Sequence, residues 1–201
     1  INYHNADLPS QRGAACHSWG IMMGKKESSL NIHLINKEFD TGNIIYKKKY
    51  NLNHSTSNLD SIYRKLNVEE KIFFQKFFQN FFKKKMSEIT QNNKTSFYWP
   101  KLNQKRHSYV NWQWKSHDIR IFCNAFDNPF KGITAKYNRS KILLHSAKLV
   151  DKNINFHPFQ YGMIYRKNKK RIFVATCTGG ISFKLHNLSL EKVNLGFKFF
   201  N

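Results

Sequence analysis

The chain predicts an α/β layer followed by a small all-β domain, and three observations carry that prediction. Over the first fifty positions the apolar pattern switches from strand to helix and back to strand. Between positions 133 and 185 five short apolar runs alternate with Asn, Gly and Lys clusters, as they do in small barrels. The 201 residues, 40% hydrophobic and 15% aromatic, suffice for packed cores, which excludes global disorder. No apolar run approaches the roughly 20 residues of a spanning helix, so no membrane partner is expected.

Taken in order, Ile1-Asn2-Tyr3-His4 reads as the last residues of a buried strand, and Asn5 to Gly13 as a turn containing Pro9. A fold seldom begins there, so the stretch is expected to be the downstream part of a longer chain. Ala14 to Met23, with Gly24 as a stop, predicts a helix of about ten residues. Leu30, Ile32 and Leu34 alternate with polar neighbours, which predicts a strand with one face buried. Asn36 to Gly42 is a loop and Ile44 to Tyr50 a second strand. Ser57 with Asp60, and Asn67 with Glu70, have capping-box spacing, so two helices are expected next. The second carries Ile72, Phe73, Phe74, Phe77, Phe78, Phe81 and Phe82 at helical spacing and ends in Lys83, Lys84 and Lys85. It is read as a core helix with a solvated basic end rather than a membrane-surface helix.

Gln91 to Ser108 is Asn-, Gln- and Lys-rich apart from Phe97-Tyr98-Trp99-Pro100, and reads as an ordered linker whose aromatics dock on a neighbour. A helix follows from about Ser116 and ends before Pro129. Strands are expected at 133 to 137, 141 to 149, 161 to 166, 171 to 176 and 180 to 185, an order that suits an OB-like barrel. The domain scheme is therefore 1–90, a linker at 91–108, and an OB-like domain at 109–201.

Charge and cysteines bound the function. Against 12 acidic residues stand 34 Lys and Arg, a net charge of +22. Residues 51 to 201 hold 27 of the bases and 8 of the acids, net +19. Polyanion binding is one reading. The other is that Lys, Asn, Ile and Phe, all written with A/T-rich codons, are over-used together; only seven of the 34 bases are Arg, the better phosphate ligand. Cys16, Cys123 and Cys177 have no C-x-x-C spacing and cannot all pair, which predicts reduced thiols and a cytoplasmic protein.

Asn2 and His4 stand two apart at a strand end, so their side chains leave the same face of the sheet. Ligands of open α/β sheets bind at such strand ends, and the loop carrying Asp40-Thr41-Gly42 can return to that edge. An amide donor, an imidazole and a carboxylate meeting there would suit acyl transfer: the first two can stabilise an oxyanion, and the imidazole or carboxylate can take a proton from an amine. His17, His33, His54, His107, His117, His145, His157 and His186 show no ligand-like pairing, and no metal is expected.

Asn2-Tyr3-His4, Leu8-Pro9-Ser10-Gln11-Arg12-Gly13, Trp19-Gly20-Ile21-Met22-Met23-Gly24, Ile32-His33-Leu34-Ile35 and Phe39-Asp40-Thr41-Gly42-Asn43-Ile44-Ile45 form an ordered series. It resembles the catalytic core of the 10-formyltetrahydrofolate-dependent formyltransferases, a superfamily that includes methionyl-tRNA formyltransferase and amino-sugar N-formyltransferases. Downstream, Ala125 to Gly132, Gly162 and Val174-Ala175-Thr176 are similar to weaker features of the same family. The resemblance implies Asn2, His4 and Asp40 as a catalytic trio, Phe39, Asp40 and Thr41 as folate contacts, and Arg12 as an acceptor contact. It also implies the C-terminal part of a Rossmann-like domain, with most of the folate pocket upstream, so this stretch alone is expected to be inactive. Four positions depart from the family's pattern: Ala6 and Asp7, since Ala6-Asp7-Leu8-Pro9 stands where Ser-Leu-Leu-Pro is common, Gln11, which replaces an aromatic, and Ser29, which replaces a turn glycine.

The acceptor is read as a primary amine on a small molecule such as a nucleotide-linked amino sugar. Trp112-Gln113-Trp114 and Thr176-Cys177-Thr178-Gly179-Gly180 differ from what methionyl-tRNA enzymes tend to show. Methionyl-tRNA is the alternative, favoured by the basic second half, and a non-catalytic RNA-binding module is the third reading.

Overall fold

The computed structural model describes residues 1–52 and 57–200. The chain divides into two compact units, Ile1–Leu102 and Asn103–Asn201.

The first unit is built on an antiparallel sheet of β1 (Asn2–His4), β3 (Glu27–His33) and β4 (Ile44–Asn51), with β3 in the centre. Between β1 and β3 lie the short β2 (Arg12–Gly13) and helix α1 (Cys16–Met22). Register places Tyr3 opposite Ile32 and Ile32 opposite Tyr46, while His4 stands opposite Asn31 and Asn31 opposite Lys47. Directly opposed residues share a face, so the sheet has one aromatic and apolar face and one polar face.

Helix α2 (Leu59–Phe82) covers the apolar face. Its start is fixed by Asn58, whose side chain accepts from the Ser61 amide. Phe73 lies against Tyr46 at 5.1 Å and against Tyr3 at 6.0 Å, and the Tyr3 hydroxyl donates to Glu70 at 2.6 Å. The two helices expected from cap spacing are thus one. Asn67 and Glu70 fall mid-helix, because Leu59, Ile62, Leu66, Phe73 and Phe77 keep one buried stripe through that point and no Gly or Pro interrupts it. Phe78, Phe81 and Phe82 beyond this stripe are exposed.

The polar face is not left to solvent. Ser29, Asn31 and His33 are as buried as Leu30 and Ile32: the 5–13 segment bonds to Ser29 and Asn31, and Asn2, His4 and Asp40 surround His33. Asn31 holds that segment by donating to the carbonyls of His4 at 3.1 Å and Ala6 at 2.6 Å. Alternation in β3 therefore separates an apolar core face from a buried polar one, whereas the sequence pattern predicted one solvent face.

Residues 91–99 are woven into this unit. β5 (Tyr98–Trp99) pairs in parallel with β2, and Trp99 packs on Trp19 at 5.1 Å and donates to the Ser10 carbonyl at 3.2 Å. Gly13 is required here: at φ 95 its backbone passes so close to Trp99 that a Cβ would lie 2.3 Å from the Trp99 carbonyl oxygen.

The second unit opens with α3 (Gln104–His107) and α4 (Ser116–Ala125). It then forms one antiparallel sheet from β6 (Ile133–Tyr137), β7 (Ser140–Val150), β8 (Ile164–Lys167), β9 (Ile172–Thr176) and β10 (Gly179–Leu185). The strand order is β6-β7-β10-β9-β8. Two isolated bridges, Lys136 to Phe200 and Met163 to Lys198, carry the C-terminal segment to the two outer strands without a continuous ladder. Trp112 is in this unit's core, stacked on Phe199 at 5.2 Å, and Trp114 meets Phe122 edge-on at 5.2 Å. Among the described residues no helix is long and apolar enough to cross a membrane.

Candidate active site

The polar face of the first sheet ends at a cavity of about 270 Å³ whose lining includes Asn2, His33, Phe39 and Asp40. The fold brings Asn2, His4 and Asp40 together there. The Asn2 amide donates to Asp40 Oδ1 at 3.5 Å, and His4 Nδ1 faces the same oxygen at 3.6 Å. Asn2 and His4 share a face by strand alternation, and Asp40 arrives on the loop that leads into β4.

Two local features set Asp40. Its backbone is left-handed, φ 59, a conformation that Asp tolerates better than most residues. The Gly13 amide then donates to Asp40 Oδ2 at 2.8 Å, which aims the other oxygen at the imidazoles. Gly42 lets the loop close: a Cβ there would meet the Leu34 carbonyl oxygen at 1.8 Å.

His4 is held from behind. Its Nε2 donates to the Gln11 carbonyl at 2.7 Å, so in the neutral ring Nδ1 carries the lone pair and points toward Asp40. Burial pushes the His4 pKa below the ordinary 6.5, against the opposing pull of the Asp40 charge and the Gln11 carbonyl. Burial alone would raise the Asp40 pKa, but His33, the Gly13 amide and the charge of His4 outweigh it, and the carboxyl stays below the usual carboxylate range. Cys16 donates to the same Gln11 carbonyl at 3.3 Å; burial, then the Asp40 charge, pushes its thiol up to about 12. A thiol in that environment is a packed neighbour, not a nucleophile.

Sequence reasoning missed His33. Its Nδ1 donates to the Leu34 carbonyl at 2.8 Å, so in the neutral ring Nε2 accepts from the Asn2 amide at 3.1 Å, and in the protonated ring Nε2–H faces Asp40 Oδ1 at 3.5 Å and holds the carboxylate ionised. One Asn2 amide nitrogen therefore serves both His33 and Asp40. The signal available was phase: His33 lies two residues from Asn31 on β3 and opposite Asn2 in register.

Gln91 was missed too. Its amide donates to the carbonyls of Asp40 at 2.8 Å and Gly42 at 2.7 Å, and its oxygen accepts from Arg12 Nε at 3.1 Å and Nη2 at 3.0 Å. Arg12, which also donates to Asn93 at 3.0 Å, is buried and does not line the cavity. Its guanidinium reaches the Asp40 loop only through Gln91, which bonds the loop carbonyls. Phe39 is 80% exposed at the cavity rim, while the Thr41 hydroxyl turns to the Glu38 carbonyl at 3.1 Å. Among the described residues no group of three His, Cys, Asp or Glu side chains could hold a metal ion; His54 lies outside them.

The site combines an amide donor, two imidazoles and an ionised carboxylate beside a small cavity, an arrangement suited to acyl transfer to an amine. Comparison with solved structures agrees with this fold. An N-formyltransferase from Helicobacter canadensis, solved with folinic acid and dTDP-3-aminofucose, superposes with TM-score 0.70 at 19% identity, over 92% of this chain and 65% of that one. A methionyl-tRNA formyltransferase from Clostridium thermocellum gives TM-score 0.60 at 18% identity, over 74% and 62%. Among sequences, the methionyl-tRNA formyltransferase of Rickettsia bellii is 31% identical over 98% of this chain and 64% of its own. That of Clostridium tetani is 27% identical over 92% and 57%. The chain spans about three-fifths of the length of these relatives. The family description "Formyl transferase" matches residues 1–77 and "Formyl transferase, C-terminal domain" matches residues 103–196, one in each compact unit, and on that double match the chain belongs to the formyl transferase family.

Proposed function

We propose that the protein transfers the formyl group of 10-formyltetrahydrofolate to the amine of methionyl-tRNA. The observation that carries formyl transfer is the meeting of Asn2, His4 and Asp40 on one carboxylate oxygen, within 3.6 Å, at the edge of a cavity. At about 270 Å³ that cavity is at the small end of ligand sites, and it suits the reacting ends of two substrates rather than a whole folate. Folate supplies the formyl carbon already activated; the chain's residues supply position, charge and a proton path.

The acceptor attacks as a neutral amine, because an ammonium has no lone pair. As the new N–C bond forms, negative charge collects on the formyl oxygen, and the Asn2 amide is the donor placed to meet it. Its 3.5 Å bond to Asp40 is the longer of its two and the easier to redirect. The amine's proton passes to the Asp40–His4 pair, where His4 Nδ1 can hold it beside the carboxylate. When the C–N bond to folate breaks, that proton returns to the departing nitrogen.

Methionyl-tRNA is favoured over a small amine because the similarity to methionyl-tRNA formyltransferases reaches 31% sequence identity over 98% of this chain, whereas the likeness to the sugar N-formyltransferase is one of fold at 19% identity. The second unit also presents a cavity of about 420 Å³ lined by Lys105, Lys131 and Lys141, with Lys141 5.1 Å above the Tyr109 ring. Cations beside an aromatic face suit a phosphate chain and a base. In this proposal residues 1–90 carry the catalytic side chains and 91–99 complete their unit, the stretch up to 108 connects, and 109–201 form an OB-like barrel that meets the tRNA in the cytoplasm. A nucleotide-linked amino sugar is the second reading, supported by the fold likeness to the Helicobacter canadensis enzyme.

The test uses the full-length protein with 10-formyltetrahydrofolate and either methionyl-tRNA or a dTDP-amino sugar. Formylation of the tRNA is expected, with binding that weakens steeply as salt rises. Formylation of the sugar with none of the tRNA would replace this reading by the second.

A further inference from the structure

Three of the four departures from the family's pattern, Asp7, Gln11 and the more distant Ser29, meet in one hydrogen-bonded network beside His4. The Asp7 carboxylate accepts from Ser29 Oγ at 3.1 Å and Lys47 Nζ at 2.8 Å on one oxygen, and from Ser10 Oγ at 2.9 Å on the other. The Asp7 amide donates to Gln11 Oε1 at 3.1 Å, and the Gln11 amide donates back to the Asp7 carbonyl at 2.6 Å. Lys47 Nζ also donates to the Leu8 carbonyl at 2.7 Å, so one cation on β4 holds two points of the same turn. Gln11 is 2% exposed, and its carbonyl is the one that receives His4 Nε2.

We propose that Asp7, Gln11, Ser29 and Lys47 form a polar clamp that positions His4 by fixing the Gln11 carbonyl, in place of the leucine, aromatic and glycine common at three of these sites. These are positioning residues: none lines the cavity beside Asp40. Leu8 anchors the turn from Asp7 to Gln11 in the core, but an apolar anchor does not orient carbonyls, and the hydrogen bonds of the clamp are what aim the Gln11 carbonyl at the imidazole. Lys47 is in register with Asn31, and Asn31 with His4, so two strand spacings, about 10 Å, separate their backbones, and the Lys47 charge is not among the groups that shift His4. Its direct electrostatic effect on His4 is therefore small and of known sign.

The proposal rests on His4 acting in formyl transfer, and its test separates the two. In the full-length protein, Lys47→Met and Asp7→Leu are compared with Lys47→Arg and Asp7→Asn, which keep a cation or the hydrogen bonds. The readouts are kcat, KM for both substrates, and the tautomer and titration of His4 by nitrogen NMR. The groups facing His4 are Asp40, His33 and, through the shared Gln11 carbonyl, Cys16; all stay unchanged. Displacement of a reacting group by about 1 Å can cost on the order of 10²-fold, so Lys47→Met is expected to lower kcat about tenfold or more with KM little changed. Lys47→Arg should recover most of it.

The sign of the His4 shift decides the mechanism. Removing a cation raises an imidazole pKa through its field, whereas losing the Gln11 carbonyl lowers it. A downward shift with loss of the Nε2–H tautomer supports the clamp. An unchanged or raised His4 midpoint with unchanged kcat, even where melting temperature falls, overturns it. If Lys47→Met does not fold, Asp7→Leu gives the same readout, with Asp7→Asn as its control. An inactive wild-type protein would sink the formyl-transfer reading, while the NMR titration would still judge the clamp.

Discussion

Replacing Gln91 by Leu removes four hydrogen bonds at one stroke, and their worth can be worked from the structure. Two are accepted from the buried Arg12 guanidinium and two are donated to the carbonyls of Asp40 and Gly42. Bonds to a charged group contribute about 1.5 kcal/mol or more each, and neutral ones about 1 kcal/mol. Leu returns about 1–2 kcal/mol through its greater apolarity. The net cost is therefore about 3 kcal/mol. With an m-value of about 2 kcal/mol/M, the urea midpoint of the first unit should fall by about 1.5 M. Arg12→Met alone should also destabilise. The double variant should cost less than the two together, by a coupling of about 2 kcal/mol, because no guanidinium is then left buried with a lost partner. A local probe is exchange of the Gly13 amide hydrogen, which is bound to Asp40 Oδ2 and should exchange roughly 10²-fold faster in Gln91→Leu. A coupling below about 0.5 kcal/mol with unchanged Gly13 exchange would refute the idea that Arg12 and Gln91 brace the Asp40 loop.

Asp40→Asn removes the charge that draws His4 upward, so the His4 midpoint should drop further below 6.5 and formyl transfer should fall by roughly 10² or more; an unmoved His4 titration would contradict the pairing. Stability should fall with acid in two stages. The folded pKa of His4 is below 6.5, and those of Asp7 and Asp40 are below 3.8. Each group contributes stability that is present above its unfolded pKa and lost as pH falls through its folded value, so denaturation midpoints at pH 7.5, 5 and 3 should decrease in that order. Gly42→Ala should disable the site loop, since its Cβ would lie 1.8 Å from a backbone oxygen, whereas Gly24→Ala, with open space but φ 62, should cost only about 1–2 kcal/mol. Paired melting curves check this, and equal losses would refute it. Under native conditions a thiol reagent should label Cys177 and spare the buried Cys16 and Cys123; mass mapping of the labelled peptides reads it directly.

Much of this molecule follows from local rules. The five strands of the second unit fall close to their expected positions because each is a short apolar run ended by Asn, Gly or Lys. The Asn-x-His spacing alone puts two side chains on one face of β1. Capping spacing did less well: Asn67 and Glu70 can close a helix start, but a continuing apolar stripe carried one helix straight through them. Cap signals are worth about 1 kcal/mol, less than an unbroken buried face.

What only the tertiary structure decided is what lies against the polar face of the sheet. Ser29, Asn31, His33 and Lys47 read as solvent-facing positions, because alternation states which residues share a face and not what covers it. The 5–13 segment binds Ser29, Asn31 and Lys47 while Asp40 meets His33, and together they convert an apparently wet face into the floor of the site. Likewise the partner of the Arg12 guanidinium, Gln91, lies 79 residues on. Asp40 meets His4 across 36 residues and His33 across seven through one oxygen. Such contacts are fixed when the chain closes on itself, and the identity of a distant partner is not encoded in the spacing or propensity of the residues that await it.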